Sequence, residues 1–263
     1  MERFLQKHFR KGVIALTAFV LFTFLIKVID VKPIGPEASA VGFAALNGFV
    51  FRVIGQHAFF EKLTKLLGYL ALLTAAGFAL VGGFQFLKEK KLSAVDNEIL
   101  ILGCFYVLVI LAYVFFELVV INRRPVILDP EEGLEASYPS SHTVLVICIM
   151  ATAPRQLGRL VQNDRIFYAS KILCTVLIVV MVLGRLISGV HWFTDILGGI
   201  LLSTALLFVY SGAMDVLGGE LWPDTHPLPD LQLGTRIAAL LRPAAEERGS
   251  GKKTAGRGGA HLK

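Results

Sequence analysis

The sequence predicts an all-α protein with six membrane-spanning helices, because of its composition and its six long apolar stretches. Hydrophobic residues make up 55% of the 263 residues, charged residues make up 17%, and the mean hydropathy is +0.66. Ordinary soluble domains are about 45–50% apolar and about 25% charged. The charged residues are therefore too few to cover a soluble surface this apolar, and the hydrophobicity excludes disorder for most of the chain.

Each predicted span is close to the roughly 20 apolar residues needed to cross about 30 Å of hydrocarbon. Stretches of this length without turn residues favour helices over strands. The six spans are predicted at 12–30, 64–87, 97–121, 142–160, 168–188 and 192–214. They form a predicted membrane domain over 1–217. A cytoplasmic tail rich in Pro, Gly and basic residues follows over 218–263, and its end is expected to be disordered.

The N-terminal part of the chain leaves two interpretations open. A basic start precedes the first apolar stretch, and the small residues at 38–40 resemble a signal-peptide cleavage site. That site lies far beyond the apolar stretch, past Pro33 and Pro36, which favours an uncleaved helix. The Phe-rich segment within 31–61 predicts a short helix along the membrane interface, with an ordinary loop as the alternative.

The distribution of charge predicts the orientation in the membrane. The chain has 26 Lys and Arg against 20 Asp and Glu, a formal net charge of +6. Most of these cations lie in the N-terminal segment, after the second and fourth spans, and in the tail, so both termini are predicted to be cytoplasmic. The net charge then indicates topology, and no nucleic-acid partner is expected. The three cysteines, all in apolar stretches, are expected to be buried side chains: Cys104, Cys148 and Cys174.

Three polar clusters stand at span ends on the predicted extracytoplasmic side. The clusters are Arg123-Arg124-Pro125, Pro139-Ser140-Ser141-His142, and the set of Arg185, His191 and Asp195. Ionisable groups at membrane depth are costly, so their default interpretation is a functional site. Arg124 and Arg185 offer planar, permanently charged groups that match phosphate oxygens.

The spacing within the clusters suits phosphoryl transfer. His191 and Asp195 are four residues apart, which predicts that both lie on one helix face, where the carboxylate can orient the imidazole. Ser140 and Ser141 precede an apolar stretch, as helix N-caps do, so unpaired backbone N–H groups would point at an anion.

The acidic residues between the first two clusters are interpreted as a solvated loop. No His or Cys joins them at ligand spacing, so a divalent-metal site is not expected. These residues are Asp129, Glu131, Glu132 and Glu135.

The three clusters resemble the motifs of the type 2 phosphatidic acid phosphatase superfamily. Its first motif is Lys, six residues, Arg-Pro; positions 124–125 match, but Glu117 occupies the Lys position. The second motif, Pro-Ser-Gly-His, corresponds to 139–142, with Ser in place of Gly. The third, Ser-Arg, five residues, His, three residues, Asp, corresponds to 184–195, with Gly in place of Ser. The resemblance covers about 60–212 and implies the family's six-helix core.

The resemblance also implies a role for each matching residue. His191 would attack phosphorus to form a phosphohistidine, Asp195 would orient it, and His142 would protonate the leaving oxygen. The phosphoryl oxygens would be held by Arg124, Arg185, the Ser140 hydroxyl and the Ser141 backbone. No metal or cofactor is implied.

Glu117 is the main departure from the family pattern. An anion in place of a cation weakens anion binding by Coulomb's law. Arg123 is one candidate to compensate; alternatively Glu117 pairs with Arg123 or Arg124, or contacts a cationic or hydroxylated head group.

The predicted function is metal-independent hydrolysis of a lipid phosphate or diphosphate monoester at the extracytoplasmic face of the cell membrane. Two alternatives stay open: a catalytically silent relative that only binds lipid phosphate, because of Glu117, and a lipid phosphotransferase. Membrane lipids are the expected surroundings, and the sequence predicts no oligomeric state. A transporter is not favoured, since no interrupted pair of spans occurs in matching halves.

Overall fold

The computed structural model describes the fold of residues 2–217, with side chains from His8 onward. Over this range the chain forms helices joined by turns and two isolated β-bridges, and no β-strand. The helices are α1 (Glu2–Val28), α2 (Ala44–Ile54), α3 (Ala58–Glu89), α4 (Asn97–Leu118), α5 (Ser141–Val161), α6 (Asp164–Ser188) and α7 (Phe193–Leu217). The predicted tail, 218–263, lies outside the described residues.

Six of these helices, all except α2, are long and apolar enough to cross a membrane. The prediction of an all-α bundle with six spans is confirmed, and the chain is a multi-pass membrane protein. α3 extends beyond the predicted 64–87 at both ends, whereas α4 ends at Leu118, before the predicted boundary at 121. The sidedness of the bundle stays a prediction.

The short helix expected within 31–61 is α2. A bridge between Lys32 and Val41 folds the chain back before it. One side of α2 is buried, including Asn47, while Phe49 and Val53 on the other side are exposed. This two-sided pattern suits a helix that packs on the bundle and presents apolar residues outward.

The bundle is held together by α1 packed along α7 and by α5 packed against both α6 and α7. Phe19 and Ile26 of α1 are buried in the core, and Thr23 hydrogen-bonds to the hydroxyl of Tyr138 at 2.7 Å. α5 is the most buried span. The segment that carries the second polar cluster is therefore fixed on several sides.

Two of the three free cysteines are buried as predicted, but Cys104 of α4 is exposed. The prediction was wrong there because a membrane helix can direct a small apolar side chain outward, since lipid is as apolar as a protein core.

An ionic cluster joins α4 and α5 at the end opposite the three polar clusters. Glu98 is almost fully buried and lies 3.4 Å from Arg155 and 3.3 Å from Arg159. Arg159 also pairs with Asp96 at 2.7 Å. Breaking a buried pair of this kind leaves an uncompensated charge, so the cluster fixes how the two spans pair.

Candidate active site

The three polar clusters meet at one end of the bundle, although they come from separate parts of the chain. The Nε2 atom of His191 lies 2.7 Å from Arg185 Nη2 and 3.3 Å from Arg124 Nη1. All three side chains are buried. The sequence prediction grouped these residues, and the structure brings them into contact.

The contacts of His191 determine which of its nitrogens carries the proton. Guanidinium groups only donate hydrogen bonds, so Nε2, which faces Arg124 and Arg185, must be the acceptor. Nδ1 then carries the hydrogen, and it donates to the carbonyl oxygen of Ser137 at 3.1 Å. The lone pair of Nε2 is thereby directed to the point where the two arginines converge.

His191 lies in a turn, which corrects the prediction that it shares a helix face with Asp195. α6 ends at Ser188, and Gly189 follows with φ 69°, in the left-handed region that favours glycine. A Cβ at Gly189 would also collide with the carbonyl oxygen of Gly55. Because α7 begins only at Phe193, His191 precedes it. The imidazole of His191 is therefore carried by a turn at the end of the bundle and not by a helix.

Asp195 is linked to His191 through a serine hydroxyl. Its Oδ2 atom is 3.8 Å from His191 Nδ1, too long for a hydrogen bond. The carboxylate accepts a short hydrogen bond from the Ser137 hydroxyl, whose oxygen is 3.1 Å from His191 Nδ1. It also accepts from the backbone N–H of Trp192 at 2.9 Å and from Asn122 Nδ2 at 3.3 Å. The hydrogen bond to the Trp192 N–H is one half of a capping box, so Asp195 also stabilises the first turn of α7.

Each arginine is held by a partner that sequence motifs did not indicate. Arg124 Nε donates to Glu135 Oε2 at 2.8 Å, so Glu135 is an ion-pair partner and not a solvated loop residue. Arg185 Nη1 donates to Thr64 of α3 at 3.4 Å. The Nε atom of Arg185 is buried without a hydrogen-bond partner among the described residues.

The second cluster begins α5 as predicted, but its two serines differ. Ser140 is fully buried, its backbone N–H donates to the Asp195 carbonyl at 2.9 Å, and its hydroxyl accepts from Thr143 at 3.0 Å. Ser141 and His142 instead line the cavity described below. The Ser140 N–H is thus used within the protein, and Ser141 is the serine that faces open space.

A cavity of about 540 Å³ opens beside these residues, between α3, α4 and α5. One end is polar, and the remainder is lined mainly by apolar side chains. The polar lining includes Lys65, Glu117, Ser141, His142 and His191. The apolar lining includes Leu72, Val109, Ile110, Phe116, Val144 and Leu145.

Glu117 and Arg123 occupy different environments. Glu117 lines the cavity and forms no ion pair among the residues whose side chains the structure describes. Arg123 donates to the carbonyl oxygen of Leu134 and lies outside the cavity lining. The alternatives in which Glu117 pairs with Arg123 or Arg124 are therefore not observed, and Arg123 is not positioned to compensate for it.

The environment of His191 favours its neutral form. Burial, and then the nearby charges of Arg185 and Arg124, hold the pKa of His191 well below its usual value near 6.5. A neutral imidazole has the lone pair that a nucleophile needs. In the described part of the chain no three His, Cys, Asp or Glu residues lie close enough together to hold a metal ion.

Residues 98–217 match the family model described as the PAP2 superfamily. The resemblance to this superfamily that the motifs predicted is confirmed over these residues. No curated protein sequence matches the chain significantly.

The fold also matches a solved structure. It is similar to the crystal structure of a transmembrane PAP2 type phosphatidylglycerolphosphate phosphatase from Bacillus subtilis, with a TM-score of 0.52 and 19% identity. The match covers 78% of this chain and 96% of the other. At this identity the similarity supports the PAP2 fold and leaves the substrate open.

Proposed function

We propose that this protein is a metal-independent phosphatase that hydrolyses a lipid phosphate or diphosphate monoester through a phosphohistidine intermediate. The observation that carries the proposal is the Nε2 lone pair of His191 between the guanidinium groups of Arg124 and Arg185. A phosphoryl group placed there meets a nucleophile and two cations at once.

In the first step, Nε2 of His191 attacks phosphorus and the bond from phosphorus to the ester oxygen breaks. The leaving oxygen takes a proton from protonated His142, which lines the same cavity. In the second step, water attacks the phosphohistidine, transfers one proton to His142, and the P–N bond breaks to release phosphate. The products are the lipid alcohol, or the monophosphate from a diphosphate, and inorganic phosphate.

The protein's contribution is mainly positioning and charge. Negative charge on the transferring phosphoryl oxygens is stabilised by groups that are already in place, which avoids reorganisation during the reaction. In the proposal these groups are Arg124, Arg185 with its free Nε, the Ser140 hydroxyl and the Ser141 backbone. Asp195, through Ser137, holds His191 in the required tautomer and stabilises the positive charge that develops on the ring.

The shape of the cavity supports a lipid substrate. Its polar end contains the reactive histidines, and its apolar part extends along the spans between residues such as Leu72 and Val109. Tyr69 and Ile110 in its lining are exposed on the side of the bundle. An acyl or prenyl chain could therefore lie along the bundle with its phosphate at His191. The distribution of cations supports an extracytoplasmic position for this end.

The first test is phosphate release from phosphatidate and from a polyprenyl diphosphate by purified protein in detergent with a chelator present. We expect turnover, and acid-labile incorporation of label from ³²P-labelled substrate during the reaction. His191→Ala should lose both, by a factor of a thousand or more in kcat. Full activity in His191→Ala would refute the mechanism.

Glu117 supports a second candidate, a relative that binds lipid phosphate without hydrolysing it. An unpaired carboxylate in the cavity opposes phosphate binding, and Glu135 already neutralises Arg124. This candidate predicts saturable lipid binding with no phosphate release in the wild type. Phosphate release that depends on His191 would exclude it.

A further inference from the structure

The N-terminal part of α3 forms one wall of the candidate site. Thr64 hydrogen-bonds to Arg185, and a Cβ at Gly68 would lie 3.0 Å from the His142 ring. Lys65 lies next to Thr64 and nearly one turn before Gly68, and it lines the same cavity as both histidines. The chain thus brings a cation to the site from outside the three motifs.

The charges around the cavity give this cation a role. Glu117 lines the α4 wall where the family motif has a lysine, and Arg124 shares its charge with Glu135 in an ion pair. The buried guanidinium of Arg185 is then the remaining unpaired positive charge beside His191 within the described residues. A phosphate group with up to two negative charges needs a further cation.

We propose that Lys65 binds the substrate phosphate and replaces, from α3, the lysine that position 117 lacks. The inference rests on the proposed function and adds a residue that the superfamily motifs do not contain. Lys65 Nζ is held by Glu61 at 2.8 Å, which uses one of its three donors. Its side chain is 47% exposed, so the ammonium group can turn toward an arriving anion without the cost of leaving a buried pair.

The alternative role for Lys65 is a surface ion pair with Glu61. Because the Lys65 end of this pair is about half exposed, the pair would contribute little to stability, and removing either partner would have a similar small effect. The two roles therefore differ in whether Lys65→Ala and Glu61→Gln change substrate affinity alike. For a phosphate-binding Lys65, Glu61→Gln keeps the cation and leaves substrate affinity within about twofold, whereas Lys65→Ala loses it.

The experiment measures kcat and KM in Lys65→Ala, Glu61→Gln and the control Lys62→Ala, with whichever of phosphatidate and the polyprenyl diphosphate the wild type hydrolyses. Lys62 is an exposed lysine of the same helix that does not line the cavity. A charge-assisted hydrogen bond is worth about 1.5–3 kcal/mol, so Lys65→Ala should lower kcat/KM roughly 10- to 100-fold. Lys62→Ala should stay within about twofold of wild type.

A rescue tests the replacement itself. Glu117→Lys restores the family lysine, so in the Lys65→Ala background it should recover at least tenfold in kcat/KM. In the wild type, where Lys65 already supplies the cation, the same substitution should give a smaller gain. Equal effects of Glu117→Lys in both backgrounds would show that the two positions act independently and would overturn the proposal.

Anion binding without turnover separates this inference from the proposed function. Inorganic phosphate should raise the melting temperature of the detergent-solubilised wild type and of Lys62→Ala, and should raise it far less in Lys65→Ala. If the wild type hydrolyses no substrate but keeps this difference, the hydrolase proposal fails and the Lys65 inference stands. Equal stabilisation of wild type and Lys65→Ala, or none in the wild type, would overturn it.

Discussion

Residues 98–217 and residues 2–89 contribute to the candidate site in different ways. The first region matches the PAP2 superfamily and contains every motif residue, including both histidines and both arginines. The second region lies outside that match, yet its helices contact the motif residues: Thr64 bonds to Arg185, and Gly68 packs against His142. The motif residues and the side chains that surround them therefore come from different parts of the chain.

The N-terminal region also fixes the loop that carries His191. Asn47 of α2 is fully buried, and its side-chain Nδ2 donates to the Thr194 hydroxyl at 2.9 Å, while its side-chain Oδ1 accepts from the Thr194 backbone N–H at 3.2 Å. Phe51 packs against Trp192 with ring centroids 5.7 Å apart. A helix with no motif thus determines where α7 begins.

Among residues outside the motifs, the largest effect should come from Ser137, which belongs to the motif-bearing region. Ser137→Ala removes the hydroxyl between Asp195 and His191, and the buried carboxylate loses its shortest hydrogen bond. We expect kcat to fall roughly 100-fold with a smaller change in KM, because substrate contacts remain. Phosphate-release kinetics measure this effect.

The control for Ser137 is Ser170→Ala, which removes a hydroxyl bonded only to the backbone of its own helix, α6. It should leave kcat within about twofold of wild type. If Ser137→Ala behaves like Ser170→Ala, Asp195 orients His191 without the hydroxyl, and the relay described above is wrong.

An intermediate effect is expected at Asn47, in the region outside the family match. Asn47→Ala leaves the Thr194 N–H unsatisfied in a buried site, which costs about 1–3 kcal/mol of stability. The melting temperature in detergent should fall, and kcat should fall about tenfold because the His191 turn loses its support. Asn97→Ala, at an exposed asparagine, should change neither quantity. A stable Asn47→Ala protein with wild-type kcat would show that α2 does not position the turn.

The sequence predicted the spans and the motif residues because both signals are local. A run of apolar residues indicates a span whatever it packs against, and Arg124, Arg185 and His191 were identified by spacing alone. The partners were not predictable in the same way. Nothing near Thr64 or Glu135 in the sequence indicates that each contacts a motif residue, since those contacts depend on how the helices and the loop after α4 pack.

Two sequence interpretations failed for identifiable physical reasons. The four-residue spacing of His191 and Asp195 suggested one helix, but Gly189 ends α6 in the left-handed conformation and α7 begins two residues after the histidine. The acidic loop looked solvated, but Glu135 folds back to Arg124. The position of Ser137 was partly predictable from the sequence. It lies just before the second motif, so it is expected to lie near the same motif residues as that motif does.

The smallest expected effect is on the pH dependence of folding stability. It tests whether the two regions together bury His191. The pKa of His191 lies well below 6.5 in the folded protein because of burial and then Arg185 and Arg124. In the unfolded chain the imidazole binds a proton below pH about 6.5. The unfolded state therefore binds more protons than the folded state in acid, so folding stability falls as the pH drops below that value.

His191→Gln removes this titration and keeps a polar side chain of similar size. We compare the melting temperature of the wild type minus that of His191→Gln at two pH values. This difference should be smaller at pH 5 than at pH 7.5. The wild type loses at most about 1.4 kcal/mol for each pH unit below 6.5 through this one group. A constant difference between the two proteins across this range would mean that His191 titrates alike in both states. The turn that Asn47 and Phe51 support would then leave the imidazole open to water, and its neutrality could not be attributed to burial.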